Sequence, residues 1–183
     1  SVHEDNPFYA SPDGMLYSKT YHSITAVPQK LKGEIRLPED LEFLDANTFE
    51  YCEGITGVIL PASVRSISDR AFVGCTGLQY IQVAEDNPTY YAYNGVLYEK
   101  DPLKIVYVPL GIAGHLVLAE GLESIDYHFG SCHALTGVTI PASVCRVNPG
   151  NYNVFADAPM LETILVAEGN RDFFAQDNIW YSA

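Results

Sequence analysis

Positive charge is scarce in this chain of 183 residues: Lys and Arg total 10 against 23 Asp and Glu, for a net charge of −13 and a pI near 4.5. So acidic a surface repels phosphate backbones, which makes nucleic acid and anionic membrane surfaces poor candidate partners. Cysteine is sparse too. Cys52, Cys75, Cys132 and Cys145 include no C-x-x-C pair, too few for a disulfide-stapled secreted scaffold of this size, and they leave the redox compartment open. No apolar run is long enough for a bilayer; Ile105 to Ala119 is interrupted by Pro109, Gly111, Gly114 and His115. A G-x-S-x-G elbow, a P-loop and a dinucleotide-binding glycine pattern are all missing. What is present is apolar content of 48%, enough for a packed core rather than a disordered tail.

That apolar content is periodic. Phe49 and Phe72, Cys52 and Cys75, Ile55 and Leu78, and Val58 and Ile81 are each separated by 23 residues. A longer period overlies this one: EDNPFYASPDGMLYSK from Glu4 matches EDNPTYYAYNGVLYEK from Glu85, 81 residues on. GEIRLPEDLEFLD from Gly33 matches GHLVLAEGLESID from Gly114 at the same offset, and LPASV from Leu60 matches IPASV from Ile140. A third copy, EGNRDFFAQDNIWYS, opens at Glu168. The organisation is therefore one domain, 1–183, made of modules 4–84 and 85–167 and a truncated third copy, 168–183.

Each module combines a tyrosine-rich insert with units of the form A-F-x-x-C-x-x-L-x-x-[VI]-x-[LI]-P-x-S-V-x-x-I. The β-branched VIL, IQV, VTI and ILV stretches predict short strands, ended by Pro38, Pro61 and Pro141, which cannot donate to a ladder. V-x-x-I predicts a second short extended segment, and F-x-x-C a single helical or 3₁₀ turn. In the inserts, GMLY–SKTYHS–ITAVP and GVLY–EKDPLK–IVYVP predict β-hairpins, with Asp13-Gly14 and Asn94-Gly95 as turns leading in. A unit of 23 residues cannot bury its apolar face alone, so the units stack into a solenoid advancing ~4.8 Å per coil.

The AFVGCTGLQYIQV unit, the LPASVRSI and IPASVCRV stretches and the NPTYYAYNGVLYEKDPLKIVYVP insert together resemble the BspA-like class of bacterial leucine-rich repeats. The resemblance spans nearly the whole chain. It implies a right-handed leucine-rich-repeat solenoid with a parallel sheet on one face, export to the cell surface with any leader lying outside this chain, and adhesion or protein binding without catalysis. Ala158 in place of the repeat Cys, and the inserted VNPGNYNVF stretch, depart from the pattern.

Candidate chemistry is weighed against packing. Cys52, Cys75 and Cys132 occupy equivalent repeat positions, as small core residues would. Cys145 falls in the slot of Glu42, Arg65 and Glu123 and is the one thiol expected at the surface. His128, Cys132 and His133 form H-x-x-x-C-H, too few ligands for a zinc shell when Cys132 belongs to the core. The pairs Glu4-Asp5, Glu39-Asp40 and Glu85-Asp86 lie at unit junctions, where solvated loops are expected. No metal, cofactor or catalytic residue is assigned.

The binding candidates lie on two surfaces. Strand phase places Glu34, Gly57, Tyr80, His115, Gly137 and Thr163 in one outward row and Arg36, Ile59, Gln82, Val117, Thr139 and Leu165 in the next. Apolar Ile59, Val117 and Leu165 on an outward row mark either an interaction strip or a patch the hairpins fold over. The insert aromatics Tyr9, Tyr17, Tyr90, Tyr91, Tyr93 and Tyr98 are the second set, about half of them expected to pack the hairpin onto the solenoid; Phe173, Phe174, Trp180 and Tyr181 fall in the third copy. The expected partner is a host or matrix protein or a surface glycan. The competing reading is a structural spacer that self-associates weakly end to end.

Overall fold

The computed structural model describes residues 2–127, 129, 131–147, 154–156, 158–176 and 179–182, the last two segments for backbone alone from residue 174 onward. The chain begins as an antiparallel meander, β1 (Tyr9–Ala10), β2 (Leu16–Ser18) and β3 (Ser23–Ala26). Coils follow, carrying β4 (Gly33–Arg36), β5 (Phe43–Leu44), β6 (Ile55–Leu60), β7 (Ser66–Ile67) and β8 (Tyr80–Val83). The same order then recurs: a meander β9 (Tyr90–Tyr93), β10 (Val96–Lys100) and β11 (Leu103–Tyr107), then β12 (Ala113–Val117), β13 (Ser124–Ile125), β14 (Ala134–Ile140), β15 (Arg146–Val147) and β16 (Thr163–Val166). A hairpin of β17 (Phe173–Gln176) and β18 (Ile179–Ser182) repeats the start of the meander.

Stacked coils pair as parallel strands. One face carries two three-stranded parallel sheets, β4-β6-β8 and β12-β14-β16, in equivalent register: Arg36, Ile59 and Gln82 are neighbours in the first, and Val117, Thr139 and Leu165 in the second. The V-x-x-I segments form a second parallel edge, β5 with β7 and β13 with β15. The chain is a β-solenoid with almost no helix.

The F-x-x-C positions form the single turn their spacing predicts, each closed by an i→i+3 bond from Cys52, Cys75 and Cys132 N–H to the carbonyls of Phe49, Phe72 and Phe129. Parallel pairing on both flanks leaves each coil only one turn there. The insert hairpins form, β2 with β3 and β10 with β11, and each is extended to a three-stranded meander, because the NP-x-Y stretch supplies a further strand that pairs with the next. Asn94-Gly95, both at positive φ, is the β9–β10 turn itself. Asp13-Gly14 lies in the 3₁₀ turn Pro12–Gly14.

The interior is columnar. Phe49 stacks on Phe72 with centroids 5.6 Å apart, Tyr107 caps Phe72 at 5.1 Å, and Phe129 meets Tyr127 and Phe155 at 5.7 and 5.0 Å. Cys52, Cys75 and Cys132 form a second column; all are buried and free, with Cys75 Sγ donating to the Phe49 carbonyl at 3.0 Å. Ser63 and Ser143 of the P-A-S-V turns donate to the carbonyls of Leu41 and Leu122 in the preceding coil.

The β9–β11 meander is a wall within this interior. On β10, Leu97 points into the core of the amino-terminal coils while Val96 and Tyr98 point into that of the carboxy-terminal coils, as strand alternation requires. Its turn closes the gap between the two parallel sheets: Ile81 N–H donates to the Gly95 carbonyl at 2.9 Å, and Asn94 Nδ2 to the Val117 carbonyl at 2.9 Å. Two unpaired strand edges are thereby covered.

Candidate functional site

The outward rows lie on rigid strands. Val117 and Leu165 are 39% and 48% exposed and flank half-buried Thr139, while Arg36 and Gln82 are exposed on either side of half-buried Ile59. The meanders therefore do not fold over this face. They sit in line with the coils, and the Asn94–Gly95 turn reaches the sheet at its seam.

In the adjoining row the central strand carries a glycine in each sheet, and each glycine is roofed by neighbours. Tyr80 reaches across Gly57 and donates its hydroxyl to Glu34 Oε2 at 2.6 Å. This bond to the carboxylate holds the exposed Tyr80 phenol above its ordinary pKa. A Cβ at position 57 would collide with the Tyr80 ring, and one at 137 with His115 and Thr163, so glycine is required for the cross-sheet approach. His115 Nε2 lies 2.7 Å from Thr139 Oγ1, which ties the two outward rows together.

The insert tyrosines divide. Tyr17, Tyr90 and Tyr98 are buried and leave the candidate surface, because each occupies an inward strand position and its hydroxyl is held inside. Tyr90 and Tyr98 accept hydrogen bonds at 3.2 Å from Ile67 and Ala119 N–H. Tyr17 Oη lies 3.3 Å from His22 Nδ1, itself 3.1 Å from Asp40. Burial first, and Asp40 second, drive the Tyr17 phenol up; burial does the same for Tyr98 and Tyr107. Tyr9 and Tyr93 are exposed, and half-buried Tyr91 stacks on Tyr98 at 5.2 Å. The side chains of Phe174, Trp180 and Tyr181 lie outside the described residues, as do His128 and most of VNPGNYNVF.

Burial pushes the thiols of Cys75 and Cys132 up to about 12 and about 11, well away from the reactive range, whereas Cys145 is exposed. Among the described residues no three His, Cys, Asp or Glu side chains converge as a metal site would require.

Sequence reasoning missed one residue type. Asn87 is fully buried: its Nδ2 donates to the Pro61 and Val64 carbonyls, both at 3.0 Å, and its Oδ1 accepts from Thr89 and Tyr90 N–H. Asn170 repeats every contact, with Nδ2 on Pro141 and Val144 at 3.0 and 2.9 Å and Oδ1 under Asp172 and Phe173 N–H. One side chain thus clasps the P-x-x-V turn of a coil to the meander that follows it. The N-P pairs in the 81-residue repeat, Asn6-Pro7 and Asn87-Pro88, carried that signal.

Residues 29–114 match the sequence model of the BspA type leucine-rich-repeat region, in six copies. That stretch is a BspA-type repeat region. Solved structures agree on the fold. A leucine-rich-repeat protein of Eubacterium ventriosum superposes with a TM-score of 0.53 at 18% identity, over 73% of this chain and 42% of that one. A leucine-rich cell surface protein of Faecalibacterium prausnitzii gives 0.51 at 23%, over 74% and 41%. The pneumococcal vaccine antigen PcpA gives 0.57 at 21%, over 74% and 39%. The chain thus spans about two-fifths of each. The curated proteins gave no match. Leucine-rich repeats of this kind are generally non-enzymatic, and the family points to protein–protein interaction or adhesion.

Proposed function

We propose that this BspA-type solenoid is an exported, surface-displayed binding module. Its contact strip is the outward row Val117–Thr139–Leu165, continued by Arg36, Ile59 and Gln82 with Tyr80 beside them. The observation that carries this reading is the exposure of Val117 and Leu165 on the two outer strands of one parallel sheet, flanking Thr139, where solvation alone would favour polar side chains. A long, shallow strip of that kind suits a macromolecule better than a small ligand. Tyr80 supplies a rigid aromatic anchor pre-set by Glu34. Surface display is supported by the repeat family and by the cell-surface neighbour in Faecalibacterium prausnitzii.

The test is capture of immobilised host matrix proteins and a glycan array by the whole chain, followed by paired substitution. Changing Val117 and Leu165 together to Ser should weaken any captured partner at least tenfold while leaving the thermal midpoint near its starting value. Unchanged binding by that variant removes the sheet face and passes the role to Tyr9, Tyr91 and Tyr93.

A further inference from the structure

The two complete meanders are built alike but are covered differently. In β9–β11, the face turned toward the amino-terminal coils is closed: Tyr90, Leu97 and Tyr107 are 5%, 0% and 7% exposed. Their counterparts on the same face of β1–β3, by the 81-residue offset, are Tyr9, Leu16 and Ala26. Tyr9 is 39% exposed, Ala26 is exposed and Leu16 is only half-buried, with Phe8 beside them at 61%. An apolar face that the internal copy buries is open here.

Asn6 says what fits it. Its Oδ1 accepts from Phe8 and Tyr9 N–H at 2.9 Å each, the same local turn that Asn87 and Asn170 make. Lys19 Nζ donates to the Asn6 carbonyl as Lys100 Nζ does to that of Asn87, so the whole device is formed. Yet among the described residues the Asn6 amide donates to nothing, whereas both of its counterparts hold the two carbonyls of a P-x-x-V turn. Within this chain the turns at Pro61–Val64 and Pro141–Val144 are already held, by Asn87 and Asn170.

We propose that the outer face of the β1–β3 meander is a junction that seats a BspA-type repeat coil ending in Pro-x-x-Val, joined ahead of Glu4, with Asn6 as its clasp. The occupant contributes two turn carbonyls to the Asn6 amide and an apolar interior to Tyr9 and Leu16. A backbone N–H is presented to the Tyr9 hydroxyl, as Ile67 does to Tyr90. Ala26 in place of Tyr107 leaves room for a bulkier side chain from the occupant than Phe72. The assignment holds whether or not the sheet face binds a ligand.

The experiment compares the chain as it stands with a chain extended by a second copy of residues 33–84 fused directly to Glu4, reproducing the Ala84–Glu85 junction. Both carry Cys145→Ser, to remove the exposed thiol, and Ala26→Cys as reporter. The reporter should react with a thiol reagent rapidly in the parent and at least tenfold more slowly in the extended chain. Asn6→Ala should leave the denaturation midpoint of the parent almost unmoved, and lower that of the extended chain as much as Asn87→Ala lowers the parent's. Equal labelling rates in the two chains, or an Asn6→Ala variant silent in both, would show that β1–β3 is a terminal cap and overturn the proposal.

Discussion

The two parallel sheets share register, a central glycine and a columnar interior, and differ in what crosses the glycine. Over Gly57 a phenol meets a carboxylate, Tyr80 to Glu34, so the row closes on itself. Over Gly137 the shorter His115 and Thr163 crowd in from either side, and His115 turns to Thr139 in the adjacent row. The neighbouring row differs in parallel: charged, apolar and polar in one sheet, apolar, hydroxyl and apolar in the other. Interior positions are held by packing and cannot drift, while outward positions on the same strands carry different chemistry at no cost to the fold. The difference teaches where a solenoid stores specificity.

If that is right, the interiors should be interchangeable in energy. Phe72→Ala and Phe129→Ala should each cost about 3–5 kcal/mol in a denaturant titration, since each removes a buried aromatic in contact with two others. A markedly smaller cost on one side would break the equivalence of the two columns.

The meander wall gives an intermediate effect. Tyr90→Phe and Tyr98→Phe should each cost roughly 1–3 kcal/mol, because the N–H of Ile67 or Ala119 is left without its acceptor. The pH dependence follows from the same burial. In the folded state the Tyr98 phenol is held above its ordinary value, so the unfolded chain releases its proton first as pH rises. Stability from this group is complete below pH ~10 and is lost above it. Alkaline unfolding followed by circular dichroism should flatten in Tyr98→Phe; an unchanged slope would place the linkage elsewhere.

The smallest effect sharpens the contrast between the two rows directly. Spectrophotometric titration should find the Tyr80 phenol ionising above the ordinary tyrosine value, and Glu34→Gln should bring it back down. Stability should barely change. A late phenol that persists in Glu34→Gln is not Tyr80.

Most of the fold was legible because stacking favours identity at positions that face a neighbouring coil, and Phe49, Phe72, Cys52, Cys75 and the P-A-S-V turns stand at constant offset. Strand phase followed from the same repeats, which placed Val117 and Leu165 outward. What could not be read was the orientation of the tyrosines. Tyr90 and Tyr91 are adjacent and chemically identical, and a meander with coils on both sides buries both kinds of position, so alternation alone did not separate a core tyrosine from a surface one. The Asn87 clasp was hidden for another reason. An Asn before Pro is ordinary turn chemistry, and its partners, two carbonyls more than twenty residues away, leave no mark on side-chain identity.

The clasp has a genetic consequence. At each junction the clasp joins backbone carbonyls on one side to a single repeated side chain on the other, so the clasp itself does not record which copy it came from. Unequal recombination that adds or deletes one 81-residue copy regenerates the same clasp in the same register. Length in such an array is free to vary between lineages while the outward rows of each copy diverge on their own.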